Sequence, residues 1–161
     1  GNPVADEPDA DWEARIEVWR DPRAVIGASD AGAHLDLFLS SNYASYMLGE
    51  TVRKRQLLQL EEAIHMLTQI PAELYGLRDR GTIAEGAFAD ILILDEKTIG
   101  SNATTIRNDL PLNAPRLFAD ANGIENVFCN GKEIVCEGEF TDERPGIVLR
   151  SGTHTQSPSM A

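Results

Sequence analysis

The spacing of apolar positions changes character about halfway along the chain, near residue 80. Before it they recur with a helical period. Trp12, Ile16 and Trp19 stand at i, i+4 and i+7, which predicts a short helix from Asp11 with all three on one face. Asp21-Pro22 stops it, because the residue before a proline is pushed out of the helical region. A second helix carries Tyr43, Met47, Leu48 and Val52, and its end holds Arg53, Lys54 and Arg55. Cations suit the negative end of a helix dipole, so the cluster is read as a solvated helix end, with anion binding as the alternative. The clearest helix is 60–70, where Leu60, Ala63, Ile64, Leu67 and Ile70 lie at core spacing and Glu61 and Glu62 occupy the first turn. His65 falls off that stripe and is read as exposed and inert. Pro71 is expected to open a further short helix that Gly76 closes.

Beyond Gly81 the pattern is that of strands. Glycines 81 and 86 suit turns, since no phosphate-loop spacing surrounds them. The stretch 89–95 is a short apolar strand with Asp90 and Asp95 near its ends. Strands 124–129 and 132–137 flank Asn130-Gly131, a pair suited to a type I′ hairpin turn. Between them, 96–122 reads as a long irregular stretch containing Pro111 and Pro115, long enough to cover a surface or pocket. A last short strand is expected at 147–149, and the polar ends 1–10 and 151–161 are read as loose.

One run fits neither pattern. Ala24-Val25-Ile26 has no polar residue in alternation, which predicts a strand buried on both faces, as in a parallel sheet covered by helices. Gly27 and Gly32, with the small alanines 28, 31 and 33, allow a sharp turn beyond it. Ser29, Asp30 and His34 then lie at the strand end, where parallel α/β folds hold their ligands. An aspartate there can be a general base, a metal ligand or an orienting group. The plainer alternative is that Asp30 caps a following helix.

The composition sets limits on partners. A chain of 161 residues with 42% apolar content suits one ordinary globular domain. With 14 basic and 26 acidic residues the formal charge is −12, which argues against nucleic acid and anionic membrane as partners. No apolar run approaches the roughly 20 residues of a membrane span, and residues 1–11 lack a signal-peptide pattern. The expected location is cytoplasmic. In the regular hairpin register Cys129 faces Lys132 and Cys136 faces Glu125, which separates the thiols by about 13 Å at about 3.3 Å per residue. Two buried, reduced cysteines are expected, and no CxxC or nearby histidine makes a zinc site of them.

The order of motifs resembles the C-terminal part of the metal-dependent amidohydrolases, most closely the N-acyl-D-amino-acid deacylase (D-aminoacylase) branch. The resemblance rests on Ile-Gly-Ala-Ser-Asp-Ala-Gly-Ala-His at 26–34, Leu-Glu-Glu-Ala-Ile at 60–64 and Pro-Ala-Glu-Leu-Tyr-Gly-Leu at 71–77. It continues through Arg-Gly-Thr-Ile-Ala-Glu-Gly at 80–86, Ala-Asp-Ile-Leu at 89–92, Val-Phe-Cys-Asn-Gly at 127–131 and Arg-Pro-Gly-Ile-Val-Leu-Arg at 144–150. It implies an α/β plus β fold class: the last strand and closing helices of a (β/α)8 barrel over 1–80, then the C-terminal strands of a composite β-sandwich over 81–150, with 151–161 a flexible tail.

The resemblance also implies a chemistry. Asp30 matches the family's aspartate at the end of the eighth barrel strand, the general acid/base that takes a proton from zinc-bound water and returns it to the leaving amine. His34 and Ser29 become substrate-binding candidates, with a structural role for His34 as the alternative. Asp30 is at most a weak metal ligand here, because the family's HxD pair, bridging residue and later histidines are missing and only His34, His65 and His154 exist. Zinc is thus expected in the parent protein and not in this chain alone. The substrate implied is a small N-acyl-D-amino acid. The alternatives are a cyclic-amide hydrolase of hydantoinase or dihydroorotase type, or a non-catalytic interaction unit. Self-association, or pairing with a missing N-terminal portion, is the expected protein contact.

Overall fold

The computed structural model describes residues 7–27 and 29–156. Helix α1, Asp9–Arg20, buries Trp12 and Ile16 and carries Asp9 and Asp11 in its first turn and Arg20 in its last, the arrangement its dipole favours. Arg20 reaches Glu62 with Nε at 2.6 Å and a second guanidinium nitrogen at 3.0 Å, tying the end of α1 to a residue 42 positions further on. Helix α2, Tyr43–Met47, runs on into a π-helix, Leu48–Lys54. Within it the Thr51 hydroxyl donates to the Met47 carbonyl at 2.7 Å, so the buried side chain has its partner on the previous turn.

The expected helix at 60–70 is two. Helix α3, Leu60–Leu67, ends at Thr68, whose φ of −125° and ψ of −75° leave the helical region, and α4, Gln69–Leu74, starts beyond it. Pro71 is therefore the third residue of α4 and not its first. Gly76 closes α4 as expected, at φ +62°, with its N–H donating to Glu73 O.

The second half is antiparallel. One sheet has the order β1-β6-β7-β8, from β1 (Ile91–Leu94), β6 (Ile124–Cys129), β7 (Lys132–Cys136) and β8 (Glu139–Phe140). Asn130 and Gly131 both have positive φ, 49° and 77°, as a type I′ turn requires. The register slips between Val127 and Phe128, so Val135 faces Val127, and Cys136 pairs with Glu139 of β8. The cysteines are free, yet neither is buried: Cys129 is half-buried and Cys136 exposed. The stretch 96–122, expected to be irregular, holds two small ladders. They join β2 (Gly100–Ser101) with β5 (Ala121–Asn122), and β3 (Thr105–Arg107) with β4 (Arg116–Phe118).

The core joins the two halves. Ile16, Met47, Leu48, Ala63 and Met66 from the helices, with Leu58 from the connection before Leu60, cluster with Ile99, which follows β1 and is 1% exposed. Gly49 packs so closely on Gly100 that a Cβ there would lie 2.8 Å from the Gly100 Cα.

Three further expectations fail or change. Residues 24–26 form no regular element and pair with no strand, and Val25 is 37% exposed. Every ladder among the described residues is antiparallel, so that run has no parallel neighbour to cover its backbone groups. Residues 147–149 likewise form no strand. Residues 151–156 turn back onto the end of α4, with Arg78 N–H donating to His154 O at 3.0 Å and Gln156 N–H to Gly76 O at 2.8 Å. The remainder of that stretch, and residues 1–6, lie outside the described residues. No helix among those described is long and apolar enough to cross a membrane.

Candidate functional site

Asp30 sits in a sequence of turns, and no helix follows it for its side chain to cap. Its φ is +54° and that of His34 is +48°, left-handed values that aspartate and histidine adopt more readily than most side chains. The small residues around them leave the backbone free to turn twice within five positions. Ala31 N–H donates to the Ser29 hydroxyl at 3.2 Å, and Ala33 N–H to the Asp30 carbonyl at 3.3 Å. Leu37 and Phe38 both donate to the His34 carbonyl, at 2.8 and 2.9 Å. The loop is anchored from outside by Leu117 N–H of β4, which donates to Leu35 O at 2.8 Å.

The three side chains expected at the site have different employment. Ser29 shapes the turn as an acceptor. The exposed His34 ring packs edge-on against Phe38, with centroids 5.9 Å apart at 76°. Asp30 is exposed, and its carboxylate makes no hydrogen bond or ion pair among the described residues.

Among the described residues no three His, Cys, Asp or Glu side chains gather where they could hold an ion. His65 is on α3, and His154 Nδ1 accepts the Arg150 N–H at 2.9 Å inside its own turn. Asp30 has no co-ligand from either.

A concave feature among the described residues lies elsewhere. A mainly apolar groove of about 1210 Å³ runs between α3–α4 and β1, with Ile64, Leu67, Ile91, Leu92 and Leu149 among its walls; neither Asp30 nor His34 reaches it. His65, read as inert, is exposed and lines this groove. Arg80 closes one end. Its guanidinium pairs with Asp90, donates to Asn130 Oδ1 at 2.6 Å and lies 4.1 Å from the Phe88 ring centroid. Asn130 in turn donates from Nδ2 to Pro145 O at 2.9 Å, and its backbone N–H donates to Asp90 at 2.7 Å. These bonds hold the hairpin turn against residues 80, 90 and 145. The sequence offered Arg80, Asp90 and Asn130 only as parts of motifs; nothing in their spacing announced that they meet.

The carboxylates held below their ordinary range are also structural. The Arg20 guanidinium does this to Glu62, and Arg116 to Asp109 through bonds of 2.6 Å. For Asp95 the cause is the Lys97 backbone N–H first and then the Thr98 hydroxyl. Arg107 and Arg116 both lie over the ring of Phe118, at 3.8 and 4.6 Å from its centroid, and each is paired with an aspartate, Asp120 and Asp109.

Comparison with known proteins supplies what the geometry of one chain does not. The model of the Amidohydrolase family matches residues 10–135. An N-acyl-D-glutamate deacylase of Alcaligenes xylosoxydans xylosoxydans is 40% identical over 104 residues, covering 65% of this chain and 19% of the relative. The N-acyl-D-aspartate deacylase of the same organism is 38% identical over 107 residues, 66% of this chain and 20% of the relative. A solved N-acyl-D-glutamate deacylase from Bordetella bronchiseptica, complexed with zinc and a phosphonate inhibitor, is 31% identical; it covers 59% of this chain and 19% of that one, with a TM-score of 0.45. The chain spans about a fifth of the length of the curated relatives it matches. A match through residues 10–135 takes in α1, the Asp30 loop, every helix and the sheet as far as Val135, and by it the chain belongs to the amidohydrolase family.

Proposed function

We propose that this chain is the Asp30-bearing part of a metal-dependent amidohydrolase that cleaves the amide bond of N-acyl-D-amino acids. The observation that carries the reading is the family match spanning the Asp30 loop, taken with a carboxylate that no neighbour occupies. In this reading residues 24–29 form a barrel strand only in the whole protein, where parallel neighbours exist, and the strands of 81–150 belong to a sandwich. Ser29 and His34 border the substrate. In this reading the zinc of the whole enzyme is held by residues outside this chain, since the described residues gather no group of three metal-ligating side chains. What the chain contributes is a proton carrier. Asp30 accepts a proton from the attacking water and delivers it to the departing amine, so that neither hydroxide nor an amide anion has to form free in solution. Zinc, when bound, supplies Lewis acidity.

The test is Asp30→Asn in the complete protein. The change keeps shape and removes the proton acceptor, so kcat on an N-acetyl-D-amino acid should fall by about two orders of magnitude or more, with metal content and circular dichroism unchanged. Near-normal turnover would overturn the assignment. Cyclic amides such as hydantoins, assayed beside the linear substrate, separate this reading from the cyclic-amide alternative.

A further inference from the structure

We draw no further inference here: the strongest candidate, the apolar groove between the α3–α4 pair and the free edge of β1, carries nothing because nothing in the structure shows what covers it.

Discussion

Replacing Ile99 by alanine should destabilise the chain more than any change on the outer face of its sheets. Ile99 is 1% exposed and belongs to the cluster that includes Ile16, Met47, Leu48 and Leu58. The substitution removes three carbons, worth about 2 kcal/mol of transfer free energy at about 0.8 kcal/mol per methylene. A cavity term adds to this unless the surroundings close in. The Ile99 backbone is itself held in place, since a Cβ on Gly123 would come within 2.5 Å of the Ile99 nitrogen. Arg53 Nε is fixed on the Ile99 carbonyl at 2.9 Å. We therefore expect a loss of about 3–5 kcal/mol, the upper part of the range for such truncations. Urea denaturation followed by tryptophan fluorescence, which reports α1, and by far-ultraviolet circular dichroism, which reports the whole backbone, measures it. If the alanine variant does not fold, Ile99→Val should still cost about 0.5–1.5 kcal/mol. Ile106→Ala is the control, since Ile106 is 68% exposed and should change stability by less than about 0.5 kcal/mol. A loss below about 1 kcal/mol for Ile99→Ala would refute the idea that one core joins helices and sheets.

Gly76→Ala would place a Cβ 1.9 Å from the Gln156 carbonyl oxygen at a φ of +62°; residues 154–156 should detach, seen as faster amide exchange at Arg78 and Gln156, and unchanged exchange would contradict the packing. The chain alone, dialysed against zinc, should retain far less than one equivalent by elemental analysis, and stoichiometric zinc with turnover of N-acetyl-D-amino acids would contradict the missing-ligand argument. Glu62, Asp95 and Asp109 all bind protons less readily folded than unfolded. Their contribution is therefore complete above the ordinary carboxylate range, about pH 4, and is lost as pH falls through the lowered values. These pairs lie at the surface, so the effect is modest. An acid-unfolding profile that Glu62→Gln leaves unshifted would remove Glu62 from the set.

The sequence was most readable where one element's pattern decides its own structure. The stripe of α1, the ILIL run of β1 and the Asn130-Gly131 turn all formed where their periodicity or turn chemistry placed them. Thr68 was missed because its neighbours keep helical spacing on both sides of it; only the backbone angles reveal the break. The bulge at Val127 escaped for a related reason, since a register slip leaves composition untouched. The run 24–26 failed differently. Its apolarity signals burial between neighbours, and no strand among the described residues pairs with it. At the candidate site, the turn-making residues around Asp30 were legible, but the helix it was to cap was not there. The Arg80 clasp joins positions up to 65 apart in the chain, a kind of contact no local pattern encodes.

The open edge of β1 has a consequence for how solutions of this protein behave. Leu92 and Ile93 are 43% and 42% exposed on a strand with only β6 beside it, and such an edge is a template for another strand. Two copies approaching edge to edge would bring together molecules that each carry a charge of −12. Strands pair at about 4.8 Å, well inside a screening length of about 8 Å at physiological ionic strength. Repulsion therefore acts where adhesion would begin. Salt shortens its reach, so association should rise with ionic strength, the reverse of a complex held by opposite charges, and dilute buffer is the condition under which the chain stays dispersed.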